Sequence, residues 1–386
     1  VFEWLGISHL IELSGTEWIV GFFTPLAVFV AFYVAQFVLP ARRVPGYVND
    51  AATGEPRSYR LNGILVFALM LALWAVAPFG FERDWFYRST IPAVIGGTFF
   101  SGVIATWAFL SQSARSEKGH ETNWFVAWWH GRAMEHWLFG DRVDLKMYLY
   151  VVGGTMLTLN ALSGAYFHHH YVQDLGLEPN PGIYVYAGFF TFYIFDYFVF
   201  ERVQLYTYDL IHENLGFKLI WGGLLIYGWL YILPMWGMAV HPYPGFSSTF
   251  TNIWLAVMVV LFLFGWSISR GGNLQKYWFK RWPDRKFLGL IEQRYIEAGD
   301  RKILYSGFWG AARHFNYMGE GFLALSVALV FMQPANLWAW TYMIFIVSLF
   351  TWRQFQDDAV CEEKYGAEKW AEYKARVKYR LFPGIY

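Results

Sequence analysis

The chain has 386 residues, of which 56% are hydrophobic, 22% aromatic and 15% charged, with a formal net charge of +1. Soluble domains carry about 25% charged residues, so this composition excludes a disordered chain, a nucleic-acid-binding arm and most soluble globular folds. The near-neutral balance says nothing about protein partners, and the single Cys361 leaves no internal disulfide from which to read a redox compartment.

The charge deficit is concentrated. Uncharged runs reach 22 residues at Trp18–Leu39, 21 at Leu61–Phe81, 24 at Ile91–Ala114 and 51 at Leu219–Ser269. A helix of roughly 20 apolar residues crosses about 30 Å of hydrocarbon, so the pattern predicts a multi-pass membrane protein. The first run starts too late and is too long for a signal peptide, and no small-residue cleavage site follows it.

In chain order the predicted spans are 18–39, 61–79, 91–111, 147–167, 183–200, 218–238, 251–268, 308–333 and 335–352. Segment 121–139 reads as interfacial or re-entrant, because His130, Arg132, Glu135 and His136 make a lipid-facing span costly. The prediction is therefore an all-α polytopic membrane helix bundle of nine spans, or ten if that segment also crosses. Pro242, Pro244 and Gly245 divide the longest run. Gly321–Trp352 is too short for two spans and a turn, so the helix before Pro334 should begin near Phe308. It then carries Arg313, His314, Asn316 and Glu320 into or near the membrane, where polar groups line a cavity or pair with something.

Lys and Arg set the orientation. Loops 168–182 and 239–250 have none, segment 269–307 has nine and the tail after Trp352 has seven, so the last two should face the cytoplasm. The membrane itself is either a bacterial inner membrane or the endoplasmic reticulum. The tail 353–386 alternates charge, with Trp370 and Tyr373 on one face, and reads as an amphipathic helix stopped by Pro383. There is no internal repeat or low-complexity tract.

Three clusters could carry chemistry. Lys276 and Lys280 are four apart, on one helical face at the mouth of a span, and suit a phosphate as well as a simple positive-inside anchor. In the second cluster, Gly307 and Gly310 allow close backbone approach. Its Trp309 and Tyr317 can stack a ring, while Arg313, His314 and Asn316 supply donors. The third holds Asp357, Asp358, Cys361, Lys364 and Tyr365; two carboxylates at a helix C-terminal end oppose the macrodipole and call for a partner. Gly319-Glu320-Gly321-Phe-Leu-Ala324 resembles a dinucleotide fingerprint, but it follows no strand. His168, His169 and His170 are consecutive, cannot share one helical face, and read as an interfacial loop with no metal.

These motifs resemble the integral-membrane sterol reductases: the delta-14 sterol reductase, lamin B receptor and 7-dehydrocholesterol reductase group. The resemblance is carried by Leu39-Pro40, Val44-Pro45-Gly46 and Tyr59-Arg-Leu-Asn62-Gly63, and by Thr207-Tyr-Asp209 with His212-Glu213. It is most specific at Asn273-Leu-Gln275-Lys276, at Ser306-Gly-Phe-Trp309 with Arg313-His314-Phe-Asn316-Tyr317, and at Asp357, Cys361 and Lys364-Tyr365-Gly366. It implies a C-terminal cytoplasmic NADPH-binding region, residues 241–386, and an N-terminal sterol-side region, residues 1–240. The cofactor residues it implies are Lys276, Lys280, Leu304, Trp309, Asn316, Tyr317, Asp357, Cys361, Lys364, Tyr365 and Tyr373. Three departures stand out: Lys280 replaces the usual Arg, one extra residue precedes Trp370, and Gly140–Lys146 replaces an Asn-Pro-Arg motif.

The implied reaction is NADPH-dependent reduction of a sterol ring double bond, with the substrate drawn from the bilayer. An isolated alkene does not accept hydride, so protonation comes first or in concert; a conjugated 8,14-diene gives an allylic cation and favours the 14,15 bond. Asp357, Asp209 and Tyr206 are the candidate proton donors. Their other readings are a cofactor contact, a helix cap and an interfacial aromatic. Two alternatives share parts of the pattern: an isoprenylcysteine-type methyltransferase using S-adenosylmethionine, and a non-catalytic sterol-binding scaffold.

Overall fold

Ser14 opens the first membrane helix with a reciprocal cap: its hydroxyl accepts from Glu17 N at 3.3 Å, and the Glu17 carboxylate accepts from Ser14 N at 2.8 Å. From there the computed structural model describes residues 5–49, 54–111, 123–134, 136–138 and 142–386. Glu135, Gly140, Asp141 and the stretch 112–122 lie outside the described residues.

The chain divides into two compact units, Val1–Tyr243 and Pro244–Tyr386. In the first, α1 (Gly15–Val38) is followed by the antiparallel hairpin β1 (Arg42–Asn49) and β2 (Pro56–Leu61), in which Val44 pairs with Tyr59. Then come α2 (Gly63–Val76), α3 (Thr90–Ser111) and a minimal hairpin, β3 (Trp137–Leu138) with β4 (Val143–Asp144). Helices α4 (Leu145–Asp174), α5 (Pro181–Val199) and α6 (Phe217–Met238) complete the unit, and the middle of α6, Gly222–Leu230, is wound as a π-helix. The second unit consists of α7 (Ser248–Arg281), the hairpin β5 (Tyr295–Ala298) and β6 (Arg301–Leu304), α8 (Phe308–Ala311), α9 (Phe315–Leu329), α10 (Leu337–Tyr365) and α11 (Ala367–Arg376).

The nine or ten predicted spans are corrected. Among the described residues five helices are long and apolar enough to cross a membrane: α1, α3, α5, α6 and α7. A sixth is reached only if α2 and the segment after it, bent by 79°, count as one span. The three predicted spans that drop out do so for separate reasons. The 30-residue α4 is long enough, but Thr155, Thr158, Asn160 and Ser163 interrupt its middle; all four are fully buried within the first unit. The predicted span 308–333 is broken. Ala312 is extended, and the Arg313 and His314 amides donate to Tyr379 O at 3.0 Å and Arg380 O at 2.9 Å instead of to a helix. The 15 residues left in α9 rise about 22 Å, short of about 30 Å of hydrocarbon. In the 29-residue α10 only the first half is apolar. Among the described residues the architecture is a membrane-associated helix bundle with three small hairpins.

Small residues bring the helices together, as membrane interfaces require. Gly96 of α3 lies so close to α1 that a Cβ there would stand 1.8 Å from the Phe22 carbonyl oxygen. Gly319 of α9 is seated likewise against Ser269 N and Gly265 O of α7, at 2.6 and 2.7 Å. Overpacking of this kind costs about 1–3 kcal/mol. Gly96→Ala should therefore lower the thermal midpoint of the detergent-solubilised protein, whereas Gly188→Ala, with nothing within 4 Å of the added methyl, should not.

Candidate functional site

In the second unit, α8 is clamped onto α7. The fully buried Gln275 side chain accepts from Phe308 N at 3.0 Å and donates to Ser306 O at 3.1 Å, while Trp309 Nε1 donates to Gly272 O at 2.8 Å. Gly307, at φ 61°, makes the turn possible, since a side chain there would strike the Gln275 amide. The clamp sets the Lys276 ammonium over the Trp309 ring, 4.9 Å from its centre. Tyr373 Oη donates to Trp309 O at 3.3 Å, which joins α11 to α8.

Tyr317 lies between His314, at 5.4 Å with rings 7° apart, and Phe350, at 4.3 Å, and its hydroxyl donates to Asp357 Oδ2. Asn316 Nδ2 donates to Asn273 Oδ1 at 3.4 Å. Cys361 and Tyr365 pack against a buried cluster containing Trp370 and Tyr373, and Leu304 is buried at the end of β6. Burial pushes the Cys361 thiol up, so it fills space rather than acting as a thiolate.

Lys276, Lys280 and Lys364 lie in one another's fields. Burial and then Lys276 push the Lys364 amine below its ordinary value. Three mutually repelling amines beside the Trp309 ring and a carboxylate–hydroxyl pair form a donor set that fits a phosphorylated dinucleotide.

The adjacent Asp358 has a different task, which the charge pattern alone did not separate from that of Asp357. It is 9% exposed and accepts from His314 Nε2 at 3.1 Å and from Arg380 at 2.8 and 3.1 Å, with Arg313 Nε at 3.8 Å. Both aspartates lie well before the end of α10 at Tyr365, so they do not face its C-terminal dipole. Burial raises the Asp358 carboxyl, but His314, Arg313 and Arg380 outweigh it and hold it below its ordinary value of 3.8. A carboxyl depressed in the folded state stabilises the fold above 3.8, and that contribution is lost as pH falls through the folded value. Asp358→Asn should cost about 3 kcal/mol by leaving its cations unmatched. It should also flatten the acid limb of a thermal-midpoint titration; an unchanged limb would exclude Asp358 as its source.

Tyr206 and Asp209 belong to the first unit. Asp209 Oδ2 accepts from the Tyr150 hydroxyl, and its carbonyl accepts from the fully buried Lys146 ammonium at 2.9 Å. Lys146, within the segment that departs from the family motif, thus pins the Asp209 turn. Tyr206 packs on a cluster of Val44, Tyr59, Met147, Leu205 and Leu210, with Tyr47 edge-on at 5.6 Å. The three histidines are not in a loop but in α4. His168 is buried, with Nε2 accepting from Asn180 N at 2.8 Å and Nδ1 bonded to Ala239 O at 2.7 Å. No metal-holding group of acidic, Cys or His side chains occurs among the described residues.

A family model, described as the ergosterol biosynthesis ERG4/ERG24 family, matches residues 5–386. The Delta(14)-sterol reductase of Arabidopsis thaliana is 30% identical over 373 residues, covering 93% of this chain and 94% of that protein. The Delta(14)-sterol reductase of Methylotuvimicrobium alcaliphilum is 30% identical over 351 residues, 86% of this chain and 76% of that protein. The Delta(14)-sterol reductase TM7SF2 of Mus musculus is 27% identical over 372 residues, 94% and 84% of the two chains. With a helix bundle of the membrane class and its polar cluster matched along nearly the whole chain, the protein belongs to the ergosterol biosynthesis ERG4/ERG24 family of sterol reductases.

Proposed function

We propose that this integral multi-pass membrane protein is an NADPH-dependent oxidoreductase that reduces the 14,15 double bond of a bilayer-borne sterol. The observation that carries the reading is the convergence in one unit of Lys276, Lys280 and Lys364 with Trp309, Asn316 and the Tyr317–Asp357 pair. The family relatives named Delta(14)-sterol reductase support the choice of bond.

The lysine amines would hold the phosphates, with Lys276 and Lys280 suited to the 2′-phosphate that separates NADPH from NADH. Trp309 offers a flat face, the Tyr317 hydroxyl holds Asp357 beside it, and Cys361 and Tyr365 of α10 pack with Tyr373 of α11 nearby; Leu304 is proposed to contribute from the end of β6. When bound, NADPH supplies the hydride. The protein must orient the alkene, exclude water and deliver a proton to one alkene carbon. Asp357, Asp209 and Tyr206 are the donors to be tried first, and the tyrosine hydroxyls on Asp357 and Asp209 hold both carboxyls in defined orientations.

The test is to incubate the purified protein with NADPH deuterated at the transferable position and an 8,14-dienol or a 5,7-dienol. The expected result is 8,14-dienol reduction, with one deuterium from the nucleotide and, in heavy water, one from solvent on the neighbouring carbon. No nucleotide-derived deuterium in any sterol product overturns the reading, as does binding of S-adenosylmethionine in place of NADPH. The same proposal puts the basic segment around Lys286 in the cytoplasm. A cysteine introduced at Lys286 should react with an impermeant reagent from the cytoplasmic side only.

A further inference from the structure

We infer that the C-terminal segment 373–380 positions the cofactor cluster, so that nucleotide binding and the docking of this tail are coupled; the inference rests on the NADPH reading above. Helix α8 has four residues, too few to hold a helical turn unaided, because nucleating a turn costs more than its one or two bonds return. It carries Trp309, and α9 opens with Phe315, Asn316 and Tyr317. The break between them, 312–314, is extended at Ala312. The places of Trp309 and Tyr317 are therefore set by what grips α8 and the break from outside.

Helix α7 grips one side through Gln275 and Gly272. The tail grips the other. Tyr373 Oη donates to Trp309 O at 3.3 Å, and Arg313 Nη1 donates to Val377 O at 3.0 Å and Lys378 O at 3.1 Å. The Arg313 and His314 amides donate to Tyr379 O and Arg380 O. The tail is itself anchored. Trp370, Tyr373 and Val377 are buried with Ile296 and Ile303 of the β5–β6 hairpin, and the Arg376 guanidinium lies 4.6 Å from the centre of the Tyr305 ring.

Arg380 extends the grip to Tyr317. It donates twice to Asp358 Oδ2, and the other oxygen of that carboxylate accepts from His314 Nε2. The His314 ring lies 7° from parallel with the Tyr317 ring, whose hydroxyl is on Asp357. Consecutive aspartates thus hold two residues at the start of α9, one toward the cofactor side and one toward the tail. Arg380 reaches the cluster through Asp358 and His314, which makes it a positioning residue. Bonds that fix Trp309 and Tyr317 in advance lower the ordering cost of binding. By linkage, the nucleotide must tighten the same bonds by the same factor.

The test follows backbone hydrogen exchange of the full chain with and without saturating NADPH. The Arg313 and His314 amides, bonded to the tail carbonyls, should exchange about 5- to 150-fold more slowly with NADPH bound, the ordinary range of coupling between sites, where exchange reads the opening equilibrium. Arg380→Ala should weaken NADPH binding by a similar factor, raise the apparent Michaelis constant for NADPH and keep turnover at saturating nucleotide. Arg380→Lys, which keeps one charged donor, should lose less. NADPH that binds the parent without slowing these two amides overturns the inference. So does Arg380→Ala with the parent's affinity, or with turnover lost and affinity kept. If Arg380→Ala does not fold, exchange in the parent decides alone. A parent that binds no NADPH fails the cofactor reading itself and takes this inference with it, and direct titration shows that before any exchange is measured.

Discussion

Removing the Lys276 and Lys280 charges together should abolish the preference for NADPH over NADH. The 2′-phosphate carries about two negative charges near pH 7, and a hydrogen bond to a charged group contributes about 1.5–3 kcal/mol. Since 1.4 kcal/mol is tenfold in affinity, each lysine is worth roughly 10- to 150-fold for NADPH and little for NADH. The two share a field with Lys364, so their effects should not add. Titrating both nucleotides against Lys276→Ala, Lys280→Ala and the double variant checks this. Lys280→Arg is the informative control, because it provides a two-pronged grip on phosphate that lysine lacks and should tighten NADPH binding. Equal affinity of the parent protein for the two nucleotides would remove the phosphate role from these residues.

Asp357→Asn should raise the apparent Michaelis constant for NADPH more than it lowers the turnover number. The Asp357 carboxylate accepts the Tyr317 hydroxyl, and that ring is already stacked between His314 and Phe350. Losing the charge frees Tyr317 and withdraws an acceptor from the cofactor side, an effect of roughly 10- to 150-fold on nucleotide affinity by the same charged-bond magnitude. The opposite division, with turnover lost and the Michaelis constant kept, would make Asp357 the acid. Asp209→Asn and Tyr206→Phe divide in the same way, since each removes a proton and keeps the shape.

The membrane class and the polar residues proposed for the cofactor were legible in the chain because both are written in local chemistry. Several uncharged runs long enough to cross hydrocarbon identify the class even where single runs do not span, and Lys276, Trp309, Asn316, Tyr317 and Asp357 stand in motifs whose spacing survives in one dimension. The number of crossing helices was not legible. It depends on whether a long segment such as α4 spends its apolar face on lipid or on neighbouring helices. For 308–333 it depends on two amides, at Arg313 and His314, that pair with a tail more than 60 residues away. The separate tasks of Asp357 and Asp358 were hidden for a related reason. Neighbours in sequence point about 100° apart on a helix, so one carboxyl meets Tyr317 while the other meets His314 and Arg380. Polarity near the membrane was visible at Glu320, but only the Gly265–Gly319 contact of α7 with α9 decided that it meets Ser269. Hydropathy and motif spacing are sums over neighbours along the chain. Partner identity is set by which helix faces touch, and that is a property of the packed molecule alone.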